Sequence, residues 1–235
     1  MNQNLIFQQL FDYDTWTYTY LLADAVSKEA VLIDPVFEKV DRDLKLLDEL
    51  GLNLKYVLDT HIHADHVTGS GKMRTLRGAK TAVPKNAKVP CADLNLSEGD
   101  VVDFGPFQIE VLESRGHTDA SLSFVCEGML FSGDALLIRG TGRTDFQSGS
   151  ASELYDSITK KFFTLSKETK VYPGHDYQGF SFSTIADEIK HNPRVGGNRT
   201  KEEFIKIMTD LKLAYPKKID DALPANQACG NLEGE

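Results

Sequence analysis

The run Thr60-His61-Ile62-His63-Ala64-Asp65-His66 places three imidazoles and a carboxylate within six residues of a chain that has only six histidines. Neutral imidazole and carboxylate are donors that suit zinc, iron and manganese, so the first chemistry this sequence offers is metal binding. Three further candidates each follow an apolar stretch: His117 in Ser114-Arg115-Gly116-His117-Thr118, Asp134 in Phe131-Ser132-Gly133-Asp134, and His175 in Tyr172-Pro173-Gly174-His175-Asp176. A glycine directly precedes each of them, which permits tight backbone geometry and lets the ligand face a crowded centre. A lone histidine after glycine is most often a surface turn residue. The loops taken together carry the signal.

The elements that must position these residues are legible from periodicity. Short β-type runs dominate the first third: Leu5 to Phe11, Tyr18 to Ala23, Val31 to Ile33 and Tyr56 to Leu58. Between the last two, Val40, Leu44, Leu47 and Leu50 recur at helical spacing, and Gly51 provides a C-terminal stop. The histidine run follows a strand directly, and Gly69 to Leu76 reads as the next helix. Its ligands therefore lie on a loop at a strand's carboxyl end, where α/β sheets hold their chemistry.

From Leu94 to Ser132 short strands return, with turns at Glu98-Gly99-Asp100, Gly105-Pro106 and Glu127-Gly128, which predicts a second sheet. Ser150-x-x-Glu153 resembles a capping box opening a helix through Leu165, and Val171-Tyr172 gives a final strand. Thr200-x-x-Glu203 caps another helix, whose Phe204, Ile207, Met208 and Leu211 form one apolar stripe. His191, before Asn192-Pro193, reads as a structural residue at a helix end. Two β-rich halves decorated by helices make a layered helix, sheet, sheet, helix sandwich the economical fold. The expectation is a single domain over residues 1–235, with 193–235 a C-terminal helix and an irregular arm carrying Pro216 and Pro224.

Composition narrows the function classes. With 26 basic against 35 acidic residues the net charge is −9, which disfavours a phosphate-tracking surface and therefore nucleic acid. No stretch reaches the roughly 20 apolar residues of a membrane span, and Met1-Asn2-Gln3-Asn4 lacks a charged leader, so a soluble, cytoplasmic protein is expected. Cys91, Cys126 and Cys229 are too few and too scattered to predict a disulfide framework or a thiolate zinc site, which points to a reducing compartment. Cys126, in Leu122-Ser123-Phe124-Val125-Cys126, reads as a small core residue of a strand.

In order, His61-x-His63-x-Asp65-His66, His117, Asp134 and His175 resemble the ligand pattern of the metallo-β-lactamase superfamily over residues from about 5 to 180. That resemblance implies a four-layer αββα sandwich of the α/β class. The segment Gly133-Asp134-Ala135-Leu136-Leu137-Ile138-Arg139-Gly140-Thr141-Gly142-Arg143-Thr144-Asp145-Phe146-Gln147 is similar to the persulfide dioxygenase (sulfur dioxygenase) family. So are Tyr172-Pro173-Gly174-His175-Asp176-Tyr177, Asn192-Pro193-Arg194, and the tail Tyr215-Pro216-Lys217-Lys218-Ile219-Asp220 with Leu223-Pro224-Ala225-Asn226. Thr141 departs from the cysteine of some relatives, at a position where no thiol is required.

The resemblance implies one Fe(II) per subunit, held by a 2-His-1-carboxylate triad carried onto His61, His117 and Asp134. His63, Asp65, His66, His175 and Asp176 then orient the triad, or hold a second metal if the enzyme is binuclear. The implied substrates are glutathione persulfide and O2, with sulfite and glutathione as products. Arg139 and Arg143 are the candidates for the glutathione carboxylates, against a structural ion pair with Asp145, and Tyr177 for its peptide. A homodimer in a bacterial cytoplasm or a mitochondrial matrix fits the same family. The rival is glyoxalase II, a binuclear hydrolase of S-acylglutathione, which carries a longer basic C-terminal region. A di-iron flavoprotein core fits less well, since His63 stands where that motif has glutamate. A non-catalytic binding protein is disfavoured by the complete ligand set.

Overall fold

In the computed structural model, residues 2–216 and 218–230 are described; Met1 and Lys217, quoted above, lie outside them. Residues divide into two compact units, one of Met1–Leu96, Val101–Ile109 and Tyr215–Glu235, the other of Ser97–Asp100 and Glu110–Ala214.

The first sheet runs in chain order: β1 (Leu5–Asp12), β2 (Thr17–Asp24), β3 (Glu29–Ile33), β4 (Asn53–Leu58), β5 (Lys80–Pro84) and β6 (Leu94–Leu96). β1 to β3 are antiparallel, and β3 to β6 are parallel. Parallel neighbours need a crossover. α1 (Val40–Leu50) supplies it between β3 and β4, and α2 (Ser70–Arg77) between β4 and β5. Val40, Leu44 and Leu47 of α1 and Met73 of α2 pack with Leu21, Leu32 and Val57 of the strands into one core. Gly51 ends α1 in the left-handed region, as its position in the sequence predicts.

The second sheet has the order β12-β11-β10-β9-β8-β7, with β7 at Val101–Phe104, β8 at Phe107–Glu113, β9 at Leu122–Cys126, β10 at Met129–Gly133, β11 at Lys170–Pro173 and β12 at Ser183–Thr184. β8 alternates: Phe107, Ile109 and Val111 are buried while Gln108 and Glu110 are exposed, the two-residue period of a half-covered strand. α3 (Ala151–Lys160) starts where Ser150 accepts a hydrogen bond from the Glu153 amide. It stops at Lys160, short of the expected Leu165, and a 3-10 turn at Phe162–Thr164 follows. α4 (Ile185–His191), which periodicity did not single out, ends at His191. α5 (Lys201–Asp210) carries the full capping box of Thr200 and Glu203. Its Phe204 and Met208 join Leu154, Ile158, Phe162 and Val171 in the second core, whereas Ile207 is only half-buried. Burying Phe204 contributes about 1.5–3 kcal/mol.

Two expectations are corrected. The arm after α5 is not irregular throughout, because Ile219–Gln227 forms α6 with Pro224 inside it. Ile219, Ala222 and Ala225 are buried on one side, and that packing sustains the helix despite the proline. Second, Cys91 and Cys229 form a disulfide, with Cα atoms 6.1 Å apart, where the sequence predicted none. They are separated by 138 residues, so only the folded chain brings them together. Cys126 is buried in β9 as expected, and burial pushes its thiol up to about 12. Among the described residues no helix is long and apolar enough to cross a membrane.

Candidate metal centre

In the first unit the histidine run leaves the carboxyl end of β4 and is bound tightly by its own surroundings. His61, His63 and His66 are buried. Thr60 donates its amide to Asp34 Oδ1 at 2.7 Å and its hydroxyl to Asp34 Oδ2 at 2.8 Å. With the hydroxyl proton so used, Thr60 Oγ1 can only accept from His61 Nδ1, 3.0 Å away. The proton of His61 therefore sits on Nδ1 and its lone pair on Nε2. His63 Nε2 donates to Asp34 Oδ1 at 3.1 Å, and His66 Nδ1 to Asp65 Oδ2 at 2.8 Å.

Asp34 and Asp59 are members of this network that the sequence reading missed. Each follows an apolar strand, β3 and β4, the same signal that exposed Asp134. Asp59 accepts from the hydroxyls of Thr68 (2.8 Å) and Ser70 (2.7 Å). Burial raises both carboxyls; His61 and the Thr60 bonds oppose the rise at Asp34, and His63 opposes it at Asp59. Two donor sets in this unit have ligand atoms within 4.8 Å of one another: His63, Asp65 and His66, and Asp34, Asp59 and His63. The oxygens of Asp34 and Asp59 accept from Thr60, Thr68 and Ser70, so these carboxylates orient the loop.

In the second unit His117, Asp134 and His175 come together. His117 Nδ1 donates to the carbonyl of Arg143 at 2.8 Å, which again fixes the lone pair on Nε2, and that atom is 3.6 Å from Asp134 Oδ2. His175 Nδ1 donates to Asp134 Oδ1 at 2.7 Å. Gly174 is required for this approach, since a Cβ there would lie 2.6 Å from Asp134 Oδ1. Asp176 accepts from the amides of Gln178 and Phe180 and closes its own loop. Tyr177 is 62% exposed, and its ring stacks on His175 with centroids 6.0 Å apart.

Arg139 pairs with the fully buried Glu188 and donates to Ser183 at 3.0 Å. Arg143 grips Asp145 through Nε (2.7 Å) and Nη2 (2.8 Å) and donates Nη1 to the Ala214 carbonyl. Thr141 is buried, and its carbonyl accepts from Arg194.

Residues 17–175 match the metallo-beta-lactamase superfamily. The persulfide dioxygenase ETHE1, mitochondrial, of Homo sapiens is 48% identical over 96% of this chain and 89% of its own length. The crystal structure of ETHE1 from Myxococcus xanthus is 53% identical, with a TM-score of 0.94, and covers 96% of this chain and 100% of that one. A glyoxylase B2 of Dictyostelium discoideum is more distant, at 28% identity over 94% of this chain and 89% of its own. These matches bear out the expected α/β fold, and with the His and Asp donor sets they support a metal cofactor. Two β-rich halves, a histidine loop on one and a His-Asp-His cluster on the other, together with similarity over nearly the whole chain, place this protein in the persulfide dioxygenase family of the metallo-β-lactamase superfamily.

Proposed function

We propose that this protein oxidises glutathione persulfide with O2 and water to sulfite and glutathione. The observation that carries the reading is 48% identity to a persulfide dioxygenase over 96% of the chain, against 28% to a glyoxylase B2 over a similar span. The metal is Fe(II), one per subunit, held by His61, His117 and Asp134.

The donor set fits such an ion. Both histidines carry the proton on Nδ1, through Thr60 and through the Arg143 carbonyl, so each offers Nε2 without a proton to remove. His175 donates to one oxygen of Asp134, so the other is the one that would serve an ion. When bound, Fe(II) in a triad of this kind leaves open positions for a sulfur donor and dioxygen and supplies the redox change that zinc lacks. His63, Asp65 and His66 orient the loop that carries His61: Asp34 accepts from Thr60 and His63, and Asp65 accepts from His66. Asp176 keeps the loop of His175 closed.

Arg143 takes a glutathione carboxylate by releasing Asp145, whose side chain is 55% exposed and easily hydrated. Tyr177, exposed beside His175, borders the substrate. Arg139 is given the ion pair with Glu188, because a carboxylate at 0% exposure needs that countercharge.

The test is metal analysis with an oxygen electrode. About one iron per subunit is expected, with oxygen uptake strictly dependent on glutathione persulfide and abolished in His61→Ala and His117→Ala. Two metals per subunit with S-lactoylglutathione hydrolysis and no oxygen uptake would establish the hydrolase instead.

A further inference from the structure

The histidine run is held from a distant part of the chain. Asn226, near the end of α6 and 3% exposed, donates its side-chain amide to the carbonyls of His63 (2.8 Å) and His66 (2.9 Å). Its side-chain oxygen accepts from the Thr68 amide at 2.8 Å. One buried amide thus uses both donors and its acceptor on the backbone of a single loop, the loop that bears His61, His63, Asp65 and His66. Each of these backbone groups would otherwise need another partner.

α6 is in turn fastened to its surroundings. The Cys229 carbonyl accepts from the Gly71 amide at 2.9 Å, and Gly230 passes so close to Thr68 that a Cβ would lie 2.0 Å from its carbonyl oxygen. Leu223 and Cys229 pack with Ile62 of the histidine run and with Val83 and Val89. The covalent tie is Cys91–Cys229, three residues beyond Asn226. Cys91 itself is steadied by Arg74, which donates to its carbonyl.

We propose that α6 is a thiol-sensitive clamp on the metal-binding loop, with Asn226 its positioning residue and the Cys91–Cys229 disulfide its latch. This rests on reading the histidine run as a metal-binding loop. Cys91 is partly exposed and Cys229 buried, so an incoming thiolate attacks Cys91 Sγ and releases the Cys229 thiolate, which takes up a proton. A second thiol resolves the mixed disulfide. Two low-molecular-weight thiols give up two electrons and two protons, leaving two cysteine thiols and one thiol disulfide. The proposed reaction releases a thiol of this class, so accumulated product opens the latch, frees α6 to move, and loosens the loop.

The experiment follows metal loss from the protein as purified into an excess of chelator. Samples are the parent, the parent reduced with a phosphine, Cys91→Ser, and Asn226→Asp. That last change keeps the shape but turns carboxylate oxygens toward two carbonyls. Release about 10- to 100-fold faster is expected in the last three, the range seen when a group supporting a metal ligand is lost. Thermal unfolding midpoints are read alongside, because a merely structural role would speed release only in proportion to lost stability. Cys91→Ser should not respond further to the phosphine. Parent-like release from Asn226→Asp, or from reduced parent shown by thiol titration to have gained two thiols, overturns the proposal. Hydrogen exchange at the Thr68 amide gives a second readout that needs no metal: faster exchange on reduction supports the clamp, and unchanged exchange refutes it. A parent that binds no metal defeats the proposed function while leaving the exchange result to decide the clamp.

Discussion

Replacing Arg143 by alanine tests the substrate assignment, because its main chain and its side chain do different things. The carbonyl that holds His117 Nδ1 is main chain and survives the change, so the metal should stay. The side chain gives up two bonds to Asp145, one to the Ala214 carbonyl, and a guanidinium placed 4.4 Å over the Phe146 ring. Since Asp145 is more than half exposed, that ion pair contributes at most about 1 kcal/mol to stability. A charge-assisted bond to a substrate carboxylate contributes about 1.5–3 kcal/mol. Subtracting the Asp145 pair that must first break leaves roughly 0.5–2 kcal/mol, or about a 2- to 30-fold rise in KM for Arg143→Ala.

The competitor supplies the control. Asp145→Asn removes the partner that Arg143 must leave, so KM should fall, by about fivefold at most. Initial oxygen uptake against glutathione persulfide concentration measures both, with iron counted in the same samples. A persulfide that lacks carboxylates should show no difference between parent and Arg143→Ala. An unchanged KM for Arg143→Ala with glutathione persulfide refutes the assignment, and loss of iron shows that the side chain supports His117 instead.

Asp43 is buried in α1, with Arg42 Nε on one oxygen and, among the described residues, no hydrogen-bond partner on the other. Burial raises it from 3.8 to about 6, so its contribution is complete below 3.8 and is lost as pH rises through 6. Parent stability relative to Asp43→Asn should therefore fall by about 2 kcal/mol between pH 4 and pH 7 in denaturant titrations; parallel pH profiles refute this. Gly174→Ala drives a methyl group against Asp134 Oδ1 and should lower metal content about tenfold or more at equal metal supply; full occupancy would show that the loop gives way. The Cys126 thiol, buried and raised to about 12, should resist iodoacetamide at pH 8 in the native, unreduced protein and react once it is unfolded, as read by mass.

What could be read from the sequence was local. The histidine run is contiguous, and His117, Asp134 and His175 each follow an apolar strand and a glycine, so their chemistry is visible within five residues. The strand and helix assignments held where one period dominated, as in α1 with Gly51 and α5 with its capping box. α6 was missed because Pro224 outweighed a short apolar stripe, and that helix is sustained by burial, which periodicity in nine residues cannot reveal. Arg139 looked available for substrate because Glu188, its partner, lies 49 residues away.

The same distance explains the larger omission, and it bears on how the centre is built. Asn226 binds groups 158 to 163 residues earlier, and the disulfide closes a loop across 138 residues. No sequence window contains either pairing. Without α6, the carbonyls of His63 and His66 and the amide of Thr68 would have to find other partners. In an irregular loop, water would serve them in many geometries. A ligand set that must hold an ion within tenths of an ångström cannot rest on a loop that samples many geometries. The residues that give this centre its chemistry are thus concentrated in the sequence, while those that give it rigidity are dispersed. Ligand identity alone therefore understates how much of the chain the metal site depends on.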